Sequence, residues 1–167
     1  TKVGEFVSTT FQSMQYRSFR HWFIANTLAA SAQWMQRVAQ DWLVLTVLTH
    51  NSSFQVGIVT ALQFLPLLLF SPYAGVVVDR VDRKTIIQIT QCSFGVFGLL
   101  LGVMVFTGHA SLWLVYLLAF GGGLAAAFDS PARQAFVSEL VPARSITNAV
   151  ALNSVPFNFA RLIGPAI

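Results

Sequence analysis

The chain reads as an all-α membrane protein, a polytopic bundle of transmembrane helices, on three observations. Only 10% of its 167 residues are charged and 55% are hydrophobic, whereas a soluble domain carries about a quarter charged residues. Its apolar residues gather into runs of a length that crosses a bilayer as helix, roughly 20 residues each. Those runs also lack the ten-residue alternation of a membrane β-strand. A mean hydropathy of +0.66 agrees with lipid as the main surroundings.

Five spans follow from the apolar runs. A polar N-terminal segment, residues 1–20, precedes the first span at 21–48, and the second covers 55–78. A charged loop at 79–84 leads to the third span at 85–107, and the fourth covers 111–128. The mixed stretch 129–145 is expected to be a cytoplasmic loop with a short helix at the membrane interface. The fifth span begins at 146 and reaches the last residue, 167. Because the first residue is Thr and the last four, Gly-Pro-Ala-Ile, lie in an apolar run, the chain is expected to be the N-terminal part of a longer protein.

Charge placement orients the bundle. All charged residues except Arg37, Asp41 and Arg161 lie outside the spans. With the N-terminus inside, the cytoplasmic ends receive Lys2, Arg17, Arg20, Arg80, Arg83, Lys84, Arg133 and Arg144, while the connections at 50–54 and 108–110 carry no Lys or Arg. That asymmetry predicts a cytoplasmic N-terminus. A pI near 9.8 does not make a nucleic-acid surface, because the basic residues punctuate apolar segments instead of forming one polar patch. The single cysteine, Cys92, excludes a disulfide framework and a cysteine-based zinc site. His21, His50 and His109 stand near span ends without a nucleophile arrangement, so no enzyme, cofactor or metal site is expected.

The first span carries the most informative polar face: Gln33, Gln36, Arg37, Gln40 and Asp41. At about 100° per residue they occupy an arc of roughly 140°. A charge inside the membrane costs on the order of 2.5 to 3.5 kcal/mol even on the lenient insertion scale, so this face is expected to meet a cavity or partner helices. Arg37 and Asp41 are one turn apart and able to pair. Arg161, about 15 residues or roughly 22 Å into the fifth span, needs similar shelter. Two roles stay open for these charges: a structural ion pair or triad, and a coupling site in which Asp41 changes protonation while Arg37 or Arg161 modulates it. Trp34, Trp42 and Phe23 suit packing or an aromatic substrate.

Three stretches carry a family resemblance. Gly75-Val-Val-Val-Asp79-Arg80-Val-Asp82-Arg83-Lys84 resembles the signature between the second and third helices of the major facilitator superfamily, usually Gly-x-Leu-Ala-Asp-Arg-x-Gly-Arg-Lys. Val78 and Asp82 depart from it, and the Asp variant is similar to the branch containing the enterobactin exporter and transmembrane secretion effectors. The stretch from Ala127 through Asp129, Pro131 and Arg133 to Pro142 is similar to that family's connection between the fourth and fifth helices. Ala160-Arg161-Leu-Ile-Gly164-Pro165 resembles the opening of its exporter-associated motif.

The resemblance implies an N-terminal major facilitator bundle of about five helices, with a sixth helix and a second bundle outside this chain. It implies a gating role for Gly75, Asp79, Arg80, Arg83 and Lys84. It also implies a permease of the bacterial inner membrane whose partners are the bilayer, a small-molecule substrate and protons. Proton-driven export of a siderophore or drug is the leading expectation, beside uptake of a metabolite and a non-transporting assembly subunit. The arginine that many drug–proton antiporters carry in the fourth helix is absent here. Leu117 to Phe120 precede Gly121-Gly122-Gly123, a triplet that reads as helix packing because no Lys-Ser or Lys-Thr follows for a phosphate loop.

Overall fold

The computed structural model describes residues 16–49, 51–142 and 146–163. Among them are five α-helices and no strand: α1, Arg17–Leu43; α2, Ser53–Arg80; α3, Arg83–Phe106; α4, Leu112–Glu139; and α5, Ile146–Ile163. A π-helical turn, Val44–Leu48, prolongs α1. Just past it the Thr49 hydroxyl donates to the Val44 carbonyl at 2.6 Å, satisfying an acceptor at the helix end.

Three helices, α2, α3 and α4, are long and apolar enough to cross a membrane. In α3 only 11% of the most apolar window is buried within the chain, so its apolar side chains face outward, which is stable in lipid and not in water. Phe106 (93% exposed), Trp113 (81%) and Leu68 (77%) are extreme cases. Hydroxyls within the helices donate to carbonyls four residues back, as Ser93 does to Ile89 at 2.9 Å and Thr27 to Phe23 at 2.7 Å. Such bonds hide a polar group that lipid cannot solvate.

The helix ends have identifiable causes. Asp82 caps α3, accepting from the Thr85 backbone N–H at 3.1 Å and from the Thr85 hydroxyl at 2.9 Å. At the other end, His109 N–H reaches the Met104 carbonyl at 3.0 Å and Gly108 N–H the Val105 carbonyl at 3.2 Å. This closing pattern requires a left-handed residue, and Gly108 supplies it with φ 71°.

Helix bounds depart from the sequence expectation at three places, the first being the start of α1 at Arg17, four residues before the expected 21. The charged loop expected over 79–84 shrinks to Val81 and Asp82, since Asp79 and Arg80 end α2 while Arg83 and Lys84 begin α3. The loop expected from Asp129 is helical through Glu139. Pro131 removes one amide donor, but a proline inside a membrane helix is tolerated where neighbouring groups satisfy the freed carbonyl.

The chain divides into two compact units. Residues 36–132 pack Leu43, Val44, Val59, Leu101, Val115, Leu118 and Ala119 into one core, joining the end of α1 to α2, α3 and α4. Residues 1–35 with 133–167 form the other unit, in which Phe19 of α1, Val137 and Val141 from the end of α4 and its following turn, and Ala149 and Leu152 of α5 make the core.

Candidate transport site and signature loop

The polar stripe of α1 divides between neighbours. Gln36 and Gln40 form one edge. A methyl group placed on Gly98 of α3 would stand 3.1 Å from Gln36 Oε1, and Gln40 Nε2 donates to the Val115 carbonyl of α4 at 3.4 Å. Gln40 is buried, so this bond, though long, shields an amide from the apolar interior. Arg37 and Asp41 lie on the opposite edge, about 100° further round. Arg37 Cζ sits 5.4 Å from the centroid of the Phe64 ring on α2, within the range of a cation–π contact. Asp41 feels the Arg37 charge one turn away. Its Oδ1 is buried and has no hydrogen-bond partner among the described residues. Gln33 is half-buried in the other unit.

A second polar cluster joins α3 to α4. Asp129 is 5% exposed. Its Oδ1 accepts from the Thr90 hydroxyl at 2.6 Å and from Gln91 Nε2 at 3.2 Å. The Thr90 hydroxyl also lies 3.0 Å from the Ile87 carbonyl, so its single proton has two acceptors. Asp129 is therefore a buried group inside a helix and not part of a solvated loop.

The third cluster belongs to the unit that holds the start of α1. Arg133 donates from Nη1 to Asn26 Oδ1, and its Cζ lies 5.8 Å from the Trp22 ring. Trp22 meets Phe136 edge-on at 4.9 Å between centroids. A planar guanidinium suits this site because it stacks on the indole while donating in its own plane.

Asp79, Arg80 and Lys84 of the signature loop are exposed, and Arg83 is half-buried. A Cβ on Gly75 would meet no atom within 4 Å among the described residues, so close approach at Gly75 is not seen here. Val78, where the superfamily usually has a small residue, is 3% exposed and fills space beneath the loop. Hydrogen bonds from the Thr85 side chain and backbone hold the Asp82 carboxyl below the usual carboxylate range. Arg161 is part of α5 by its backbone, while its side chain, Gly164 and Pro165 lie outside the described residues.

A family model for transmembrane secretion effectors matches residues 8–167. The chain belongs to this family of the major facilitator superfamily. Its relatives include the staphyloferrin A transporter of Staphylococcus aureus, 30% identical over 149 residues, which are 89% of this chain and 37% of the relative. Macrolide efflux protein A of Streptococcus pyogenes is 28% identical over 117 residues, 70% of this chain and 29% of the relative. The enterobactin exporter EntS of Shigella flexneri is 28% identical over 152 residues, 90% of this chain and 36% of the relative. The chain thus spans about a third of the length of these curated relatives. No solved structure matches it.

Membership in the secretion effector family makes the chain a multi-pass membrane protein of a transporter family and not an enzyme. Asn26, Phe64, Thr90 and Gln91 were not singled out from the sequence, although each makes a polar or cation–π contact. Thr90 and Gln91 had a usable signal, two adjacent polar residues within the apolar third span. Phe64 had none, because a phenylalanine among apolar neighbours looks the same whether it faces lipid or a guanidinium.

Proposed function

We propose that the chain is the N-terminal part of a secondary active exporter that moves a small organic molecule, a siderophore or drug, by alternating access and proton entry. The names of the siderophore and macrolide relatives support the substrate class. The observation that carries the proton reading is the Asp41 carboxyl, one buried oxygen of which lacks a hydrogen-bond partner among the described residues one turn from Arg37. An intramembrane acid in that position is costly as an anion when the nearby cation withdraws and cheaper when it approaches. A state change that alters the separation of Arg37 and Asp41 therefore takes up and releases a proton, and a substrate that binds one state better shifts the same equilibrium. The cluster Gly75, Asp79, Arg80, Arg83 and Lys84 serves as the gate between bundles, with the second bundle supplied by sequence beyond this chain. Family membership favours the bacterial inner membrane as the location, and the lysine and arginine asymmetry favours a cytoplasmic N-terminus.

Asp41→Asn in the full-length protein tests the reading in everted vesicles under an imposed proton gradient. Gradient-driven accumulation is expected to fall by at least about tenfold, while exchange of substrate without a gradient survives, because the amide keeps the shape and loses the proton. Accumulation that persists with the wild-type pH dependence overturns the coupling role.

A further inference from the structure

The glycine triplet of α4 is not uniform. A Cβ on Gly122 would meet nothing within 4 Å among the described residues, and the atoms nearest to one on Gly121 belong to the Phe97 ring, with Cζ at 3.0 Å. At Gly123 the same atom would enter the main chain of α2, lying 2.9 Å from the Gln63 carbonyl carbon and 3.1 Å from the Leu62 carbonyl oxygen, with the Gln63 carbonyl oxygen closer still. A ring at the end of a side chain can yield to a methyl group, but helix backbone cannot without moving the helix. Gly123 therefore points a Cα hydrogen at two carbonyls of α2, a close approach that only glycine allows.

The place of this contact on α2 matters. Pro66, four residues after Leu62, has no amide N–H, so the Leu62 carbonyl lacks its ordinary helical donor. Pro66 is fully buried, and Gly123 lies against the carbonyl that Pro66 leaves open. The residue after Gln63 is Phe64, about 100° round the helix, and its ring lies under the Arg37 guanidinium. Gln63 thus meets α4 while Phe64 meets α1 within one turn of α2.

We propose that Gly123 is a positioning residue for the Arg37–Asp41 site: by letting α4 rest on the α2 main chain beside Pro66, it sets where the Phe64 ring holds Arg37. The proposal rests on the transport role of Arg37 and Asp41. A displaced α2 carries Phe64 away from Arg37 and changes the charge that Asp41 meets.

The test uses the full-length transporter with Gly123→Ala, Gly122→Ala, Pro66→Ala and Phe64→Leu, compared at equal amounts of membrane-inserted protein. Gly123→Ala is expected to raise the substrate KM on the order of tenfold or more, as misplacement by about an ångström does, and to shift the pH midpoint of transport. Gly122→Ala keeps wild-type values. In a Phe64→Leu background the Gly123→Ala effect on KM should shrink towards none, the non-additivity of residues acting through one contact. Inserted Gly123→Ala protein with wild-type KM and pH midpoint overturns the proposal, as does full additivity with Phe64→Leu. If Gly123→Ala does not insert, Pro66→Ala decides, since it restores an amide to the Leu62 carbonyl without a clash. The same KM and pH changes then support positioning, and wild-type values overturn it. Asp41→Asn reports separately on proton coupling, so a coupling failure leaves the KM non-additivity readable.

Discussion

At the scale of single residues, Asn26, Gln40, Thr90 and Asp129 are buried polar side chains that hydrogen-bond to neighbours on other helices. Asp129 is the clearest case, because Thr90 and Gln91 both donate to the same carboxylate oxygen. Removing one donor leaves the carboxyl with less compensation in surroundings where water does not substitute. Thr90→Val keeps the shape and removes the hydroxyl. It is expected to destabilise the detergent-solubilised protein by about 1 to 3 kcal/mol, the usual cost of an unmade bond to a buried polar group. Thermal unfolding followed by the loss of helical circular dichroism would measure it. Thr90→Ser, which retains the hydroxyl, should stay close to wild type, and equal losses in both variants would show that packing and not the bond matters. Arg133 follows the same logic with different chemistry: a lysine in its place keeps the charge but has no plane to lay on Trp22 while reaching Asn26.

At the scale of the element, α3 shows how one substitution in a family signature is absorbed. Where the signature usually has Gly, this chain has Asp82, and the carboxylate caps the helix through Thr85. The exchange trades a flexible residue for an N-cap and leaves a loop of only two non-helical residues. The Thr85 bonds lower the folded-state pKa of Asp82, so the sign of the pH effect follows. The cap's contribution is complete above the ordinary carboxylate pKa, and it is lost as pH falls through the lowered folded value. Asp82→Gly, which restores the usual signature residue, should lower thermal stability slightly at neutral pH and remove this acid-dependent part. Asp82→Asn should keep most of the stability, because an amide oxygen also caps. Melting curves of the three proteins at neutral and acid pH provide the comparison, and an unchanged acid profile in Asp82→Gly would exclude the cap as its source.

At the scale of the whole molecule, the parts legible in the sequence are those governed by one helix and its solvent. The ends of the first span at Leu48 and of the second and third spans fall within two residues of the observed helices, π-turn included, since charges, caps and Gly108 mark them locally. The α1 stripe was legible as a stripe, but its partners were not, because Gly98, Val115 and Phe64 come from three other helices. Asp129 was misjudged as loop for the same reason. Pro131 is a strong local stop signal, and only the packing of α3 against α4 reveals that the helix continues. The remaining large-scale expectation is orientation, which rests on Arg and Lys at alternate helix ends. In a full-length protein with Cys92→Ser and no other reactive thiol, cysteines at His109 and Val81 test it with a membrane-impermeant maleimide on intact cells. His109→Cys, between α3 and α4, should label from outside, and Val81→Cys, between α2 and α3, only after the cells are opened. The reverse pattern would place the N-terminus outside and would turn the Arg80, Arg83 and Lys84 cluster away from the cytoplasm, removing the physical basis for its assignment as an inner gate. The two sites are separated by α3 alone, 24 residues or about 36 Å of helix, so a single span is enough to make their accessibilities opposite.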